Sequence, residues 1–486
     1  MATPIPENRA RFRLGEIAAA TGGRLIDLDP GREIAGVTTD SRAAPAGSLF
    51  VALVGESQDG HRFVDAARAG GALALVAAGR GVAGARIEVG DTLVALGDLA
   101  RAFVDRETAG RPLPTLAIGG AAGKTTPKAL AAAAVEALFG PTLVTAGNLN
   151  NRIGVPMTLL TLAPGQRAAV LECGTSVPGE IAELGRIVRP DVALVLNVDV
   201  EHSERLGGLE AIADEEAELL LAARRVAVTS ESEPLLVERL GRVAVERRLF
   251  GASPRADLRL VGRSVDGAAS ARLSFRLGAR FAGRPEGARL QVSTGLLGPS
   301  AAANIAAALA GALALLGRPP SASELAALGA ALGAVEAVPG RLRPVAGADG
   351  RLVLDDTYNA NPRSVRAALD AAREIAARRP GGRLLIVLGD MLELGELAPA
   401  AHDAALRAAD AAGAARLILV GPELAAAAAR AAPATPTDLC ADADAAAIRA
   451  AGIVGPRDLV LVKGSRGIRT ERVVAALLPA TAAQAS

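Results

Sequence analysis

Around residue 120 an apolar run, Leu116-Ala117-Ile118, leads into Gly119-Gly120-Ala121-Ala122-Gly123-Lys124-Thr125-Thr126 and then into an alanine-rich stretch. No other segment restricts the fold so tightly, because the order predicts a strand, a phosphate loop and a helix. Gly120 and Gly123 let the backbone approach a polyphosphate, and successive amide N–H groups with the helix N-terminus supply positive potential. Lys124 reaches the outer phosphates, and a hydroxyl of the Thr125-Thr126 pair, both placed at the nucleotide, can ligate magnesium. The loop lacks the glycine that the commonest pattern places where Ile118 stands. The expected ligand is a nucleoside triphosphate.

The 486 residues suggest about three domains of roughly 150 residues each. Lysine plus arginine number 53 against 52 for aspartate plus glutamate, and the chain has no tryptophan and one tyrosine. A single-stranded nucleic acid partner is disfavoured, since it needs basic and stacking side chains. Met1 to Glu16 carries scattered charge and no apolar core, so neither a secretory signal nor an anchor is expected there. Cys173 and Cys440 lie far apart, which suits a reducing compartment, and the expected location is cytoplasmic. Ser300 to Gly317 is apolar enough to raise a membrane span, but its alanines, Asn304 and the Arg318-Pro319-Pro320 ending read as a buried helix.

Apolar runs and breaks divide the chain at residues 1–110, 111–335 and 336–486. The first part alternates strand-like runs (Ser48 to Leu53, Ala72 to Val76) with helical ones (Leu14 to Thr21, Arg62 to Ala69). The second carries the phosphate loop and buried strands at Ala168 to Leu171 and Val192 to Leu196, the pattern of a mostly parallel sheet. Within it, Arg259 to Ser293 reads as antiparallel strands of a subsidiary sheet. The third part follows Pro339-Gly340-Arg341, with strands at Arg351 to Asp356, Leu384 to Leu388, Leu417 to Val420 and Leu459 to Val462.

Several longer strings then stand out: Thr145-Ala-Gly-Asn-Leu-Asn-Asn-Arg-Ile-Gly-Val-Pro156, Leu354-Asp-Asp-Thr-Tyr-Asn-Ala-Asn-Pro362, Leu388-Gly-Asp-Met-Leu-Glu-Leu-Gly395 and Val462-Lys-Gly-Ser-Arg-Gly467. With Thr39-Asp-Ser-Arg42, Leu49-Phe-Val-Ala-Leu53 and Asp59-Gly-His61, the chain resembles the Mur ligase family over essentially its whole length. It stands nearest the branch that adds D-alanyl-D-alanine to UDP-N-acetylmuramoyl-tripeptide. The resemblance implies a three-domain α/β architecture, with a central P-loop parallel-sheet ATPase domain and a Rossmann-like C-terminal domain. It also implies ATP and Mg2+ as cofactors and a monomer whose outer domains close over the central one.

By the same resemblance Lys124 holds the phosphates, and Thr125 joins Glu172 at magnesium. His202 belongs at a second metal. A solvated strand-end carboxylate and a solvated loop histidine are the plain alternatives for Glu172 and His202. Asn304, Arg341 and Asp356 join the nucleotide site. Asn148, Asn150, Asn151, Tyr358, Asn359 and Asn361 fall in the substrate strings, although Asn-Ala-Asn-Pro is also an ordinary turn signal. Lys463, Ser465 and Arg466 are placed to hold a carboxylate or phosphate, or else form a basic solvated loop. Ser41 and Arg42 match the uridine-diphosphate loop.

Departures from the family concentrate in the middle part. Ala121 and Ala122 stand where the loop usually carries serine and a polar neighbour, and Thr175-Ser176-Val177 replaces Ala-Asn-His. Ser300-Ala301 replaces His-Asn. Glu216 occupies the position of a lysine that the family carbamylates to bind the second magnesium; its carboxylate is shorter. These losses leave two readings open: an active ligase with a compensated metal site, or a catalytically impaired paralogue that binds nucleotide or precursor in a regulatory role. A sister ligase for another amino acid or a folate-like substrate fits the dipeptide-branch strings less well.

Overall fold

The computed structural model describes residues 3–55, 58–199, 208–284 and 287–478. Two compact units emerge: residues 1–259, 277–287 and 307–324 form the first, and residues 260–276, 288–306 and 325–486 the second.

In the first unit the N-terminal part builds a five-stranded sheet. Its strands Arg86–Val89, Leu73–Ala77, Leu49–Val51 and Val37–Thr38 run parallel, and Arg24–Ile26 pairs antiparallel at the edge. The helix Thr92–Glu107, capped by the Asp91 carboxylate, crosses from this sheet to the middle part. Gly97 on it meets Ile187, and Arg106 stacks over both Phe12 and Phe103, 4.9 and 5.5 Å from the ring centroids. Their apolar residues merge into one buried cluster.

The middle part's parallel strands are β1 (Thr115–Gly119), β2 (Thr142–Val144), β3 (Ala168–Glu172), β4 (Val192–Val195), β5 (Val226–Ser230) and β6 (Glu246–Gly251), in the order β6-β5-β4-β1-β3-β2. Strands β1, β3, β4 and β5 are buried along their whole length, as continuous apolar runs in a doubly covered sheet should be. The order reverses beside β1, and open parallel sheets bind ligands outside the strand ends at such a point. Helix α1 (Thr125–Phe139) leaves β1 through the phosphate loop, and α2 (Leu209–Leu221) packs against β4, β5 and β1.

The apolar segment near residue 300 is helix Gly298–Leu316, long and apolar enough to cross a membrane, yet 72% of its most apolar window is buried inside the protein. In the first unit, its Gly311 backbone lies against Leu116 and Leu194 of the sheet. The buried-helix reading holds. The Arg259 to Ser293 stretch forms the strands Leu258–Val265, Ala271–Leu277 and Ala288–Thr294, with alternating burial along the latter two.

The second unit's C-terminal part carries β7 (Arg343–Ala346), β8 (Leu352–Asp356), β9 (Leu384–Gly389), β10 (Arg416–Val420), β11 (Thr437–Cys440) and β12 (Leu459–Lys463). Their order is β7-β8-β12-β9-β10-β11, with β7 alone antiparallel. The last strand of the chain thus inserts between β8 and β9, bringing Lys463 level with Asp356 and Leu388.

Candidate functional site

At the end of β1 the loop turns sharply: Gly120 adopts φ +134°, and a Cβ there would come within 3.1 Å of Leu196 Cβ. Lys124 Nζ donates to Gly120 O at 2.5 Å. Asn197, just past β4, pins the next two residues. Its carbonyl accepts from Ala121 N–H (3.1 Å), and its carboxamide both accepts from Ala122 N–H (3.0 Å) and donates to Ala122 O (3.1 Å). The two alanine side chains make none of these bonds. Thr125 begins the helix with an exposed side chain, followed by the half-buried Thr126.

On the neighbouring strand β3, Glu172 is buried. Its Oε1 accepts from Asn150 Nδ2 at 2.7 Å, and its Oε2 lies 3.0 Å from Lys128 Nζ. Lys128, one helical turn beyond Lys124, also donates to Gly147 O at 2.6 Å. The solvated-carboxylate alternative for Glu172 is therefore gone. Lys128 was missed in the sequence, though a signal existed: the chain contains three lysines, Lys124, Lys128 and Lys463, among its many arginines. A compact ammonium on a flexible stem is placed where a point charge must be buried or must follow a phosphate.

Glu216, on α2, is 1% exposed, and its Oε2 accepts from Gly120 N–H at 2.7 Å. Burial, the largest influence, pushes its carboxyl up to about 7 against the pull of Lys124 and the Gly120 N–H, with Glu215 adding to the rise. Its neighbour Glu215 faces elsewhere, accepting from Gly179 N–H (2.8 Å) and Ile181 N–H (2.9 Å). Cys173, fully buried beside these acids, has its thiol pushed up to about 12 by burial and by Glu172 and Glu216. It is inert. His202 lies outside the described residues.

Three asparagines follow β2. The side chain of Asn148 is exposed, Asn150 holds Glu172, and Asn151 Oδ1 accepts from Ile153 N–H at 3.1 Å and Gly154 N–H at 2.8 Å in the turn that enters the helix Gly154–Leu159. In the N-terminal part, Arg42 pairs with Asp40 through two nitrogens at 2.9 and 2.7 Å and holds that carboxyl down at about 2. Ser41 sits beside it in a single 3-10 turn. The His61 side chain is buried between the Asp59 carboxylate (2.6 Å) and the Ala77 N–H (2.9 Å), which ties that string to the strand Leu73–Ala77.

In the second unit, Lys463 is 1% exposed, so the solvated-loop alternative does not hold for it. Its Nζ donates to Asp356 Oδ2 (2.7 Å) and Asn359 O (2.9 Å). Burial raises the Asp356 carboxyl, opposed by Lys463 and by the Leu342 N–H that it also accepts. The adjacent Asp355 accepts from Gly340 N–H at 2.9 Å and from the Thr357 hydroxyl at 2.7 Å, tying the Pro-Gly-Arg turn to β8. That turn delivers Arg341, whose guanidinium lies 4.4 Å from the Tyr358 ring centroid, with Arg466 at 5.5 Å. Ser465 Oγ accepts from Leu392 N–H at 2.9 Å. Asn361 is spent locally: its Oδ1 accepts from Ser364 N–H at 2.8 Å and caps the helix Pro362–Ala376. Asn359 accepts from Ala360 N–H, and Asn304 sits half-buried on its helix.

The residues thus converge on two strand-end groups, Gly120, Gly123, Lys124, Asn150, Glu172 and Glu216 in one unit, and Arg341, Asp356, Tyr358, Asn359, Lys463, Ser465 and Arg466 in the other. Three family models match the chain: the Mur ligase family catalytic domain at residues 33–104, the Mur ligase middle domain at 118–312, and the Mur ligase glutamate ligase domain at 340–466. The UDP-N-acetylmuramoyl-tripeptide–D-alanyl-D-alanine ligase of Escherichia coli K12 is 37% identical over 450 residues, 91% of this chain and 93% of that protein.

The chain belongs to the Mur ligase family. The enzyme of the same name from Synechocystis is 34% identical over 78% of this Mur ligase and 77% of its own length. Among solved structures, MurF from Acinetobacter baumannii superposes with a TM-score of 0.77 at 29% identity, covering 98% of this chain and 99% of that one. MurF from Thermotoga maritima, solved with ADP, gives 0.72 at 27% identity over 90% and 96%.

Proposed function

We propose that this Mur ligase joins D-alanyl-D-alanine to UDP-N-acetylmuramoyl-tripeptide at the expense of ATP, in cytoplasmic peptidoglycan precursor synthesis. The observation that carries the reading is the phosphate loop set one strand from a buried, asparagine-held glutamate, in a chain 37% identical to the E. coli ligase over 91% of its length. The domain reading assigns precursor binding to residues 1–110, ATP binding to 111–335 and the C-terminal ligase domain to 336–486, in a monomer acting without nucleic acid or membrane insertion.

The chemistry runs in two displacements. A tripeptide carboxylate oxygen attacks the γ-phosphorus, the bond to the bridging oxygen breaks, and ADP leaves with that electron pair. The amine of the dipeptide then attacks the acyl carbon, phosphate departs, and the nitrogen loses a proton to solvent. Such transfer needs charge neutralisation and alignment more than a protein nucleophile. Lys124 supplies the mobile positive charge, and the backbone N–H groups of Gly123, Lys124 and Thr125 cradle phosphate at the helix N-terminus. Asn304 and Arg341 are further nucleotide contacts, while Ser41 and Arg42 hold the uridine diphosphate. Asn148, Tyr358, Asn359 and Arg466 face the peptide substrates, on segments held in place by Asn150, Asn151, Lys463 and Ser465.

Magnesium fits the donors present. Thr125 offers a hydroxyl, and Glu172 a carboxylate whose Oε2 has an ion pair but no aligned hydrogen bond. When bound, the ion would neutralise the phosphate oxygens.

The test is phosphate release from ATP by the purified protein, omitting each substrate in turn and confirming the pentapeptide by mass. Release that requires both substrates is expected. Absence of release, with nucleotide or precursor still bound, would overturn the ligase reading.

A further inference from the structure

A buried glutamate aimed at a phosphate loop invites a cation role, but its bonds point elsewhere. Glu216 Oε2 accepts from Gly120 N–H at 2.7 Å, while the carbonyl of the same residue accepts from Lys124 Nζ. Gly120 is therefore held at both its N–H and its C=O, at φ +134°. Gly119 makes room for this contact, since a Cβ there would stand 3.0 Å from the same glutamate oxygen. Around Glu216, the Ile212 and Leu219 side chains of its own helix are buried. Among the described residues no group of three or more histidine, cysteine or acidic side chains is arranged to hold a metal ion, and Glu215 is engaged with Gly179 and Ile181.

We propose that Glu216 is a positioning residue for the phosphate loop, acting through the Gly120 N–H, and not a cation ligand. The loop's own side chains at 121 and 122 are methyl groups, so its path is imposed from outside, by Glu216 at the first turn and by Asn197 at the next two residues. A carboxylate on Gly120 N–H leaves the N–H groups of Gly123, Lys124 and Thr125 for phosphate. Those three have no acceptor within the protein among the described residues. Loss of the acceptor would let the loop drift, and a displacement near 1 Å at a reacting group costs about 10²-fold.

The inference rests on the ATP-dependent ligase reading, and two variants separate the two. Glu216→Gln keeps an oxygen acceptor for Gly120 N–H, whereas Glu216→Met fills the same volume without one. The expected result is that Glu216→Gln retains the wild-type KM for ATP and the wild-type half-activating magnesium concentration. Glu216→Met raises the KM for ATP about tenfold or more, leaving the KM for the UDP precursor unchanged. A rise of about tenfold in half-activating magnesium for Glu216→Gln would make the residue a cation ligand and overturn the proposal, as would Glu216→Met behaving as wild type. If the wild type does not turn over, the ligase reading fails by itself. ADP affinity measured in EDTA then decides the positioning role: glutamine equal to wild type and methionine about tenfold weaker supports it, and equal affinity in all three removes it.

Discussion

At the carboxyl edge of the first unit's parallel sheet, the phosphate loop contributes backbone and one mobile lysine, while its shape comes from Glu216 and Asn197 on other elements. At the edge of the second unit's sheet, the polar groups hold one another: Lys463 bonds Asp356 and Asn359, and Asp355 fixes the turn that carries Arg341. The first arrangement leaves donors open for an anion. In the second the lysine is already neutralised by an aspartate, and Arg341 and Arg466 stand over the Tyr358 ring. Lys124 is free to follow an incoming charge whereas Lys463 fixes geometry, and substitutions at the two should therefore fail in different ways.

The largest separation is expected at the two lysines. Lys124→Ala should lower the rate of phosphate release about 10²- to 10³-fold, by analogy with loss of one preorganised charge-stabilising donor, and leave the urea midpoint near wild type. Lys463→Met should instead lower stability by about 3 kcal/mol, because it strands the Asp356 carboxylate in a buried site. Equal unfolding midpoints for the two variants would erase the contrast.

Glu216 sharpens it through pH. Its folded-state carboxyl titrates at about 7, above its ordinary value, so the native state binds more protons than the unfolded one and wild-type stability falls as pH rises from about 4.5 to 7. Glu216→Gln removes that loss. Denaturant melts at pH 8 should show the variant up to about 3 kcal/mol more stable than wild type, with the gap shrinking towards pH 5. A gap independent of pH would mean that the carboxyl is not the titrating group. The smallest effect belongs to Asn361. Its cap role predicts a loss of about 1 kcal/mol for Asn361→Ala with the KM for the dipeptide unchanged. A raised KM with unchanged stability would return it to the substrate site.

Much of this was legible in the chain. The strand, loop and helix at residues 115–139 follow from an apolar run, glycines and an alanine stretch, and the strands carrying Glu172, Asp356 and Lys463 follow from continuous apolar runs. Lys128 was not read, although lysine is used only three times, because its partner Glu172 lies 44 residues away and only the parallel pairing of β1 with β3 brings them together. Asn361, expected in the substrate site, makes a local bond that caps the helix Pro362–Ala376.

Local chemistry thus set by sequence alone where the backbone turns, which segments bury and where an anion can dock, since period, glycine placement and helix starts are short-range properties. Tertiary structure alone decided which polar side chains meet across elements. Whether Glu216 meets a cation or the Gly120 N–H, and whether Lys463 is solvated or sealed between β8 and β9, depends on strand order and helix packing over scores of residues. A buried polar atom takes the partner that the fold delivers to it, because leaving it without one costs more than the contact gains.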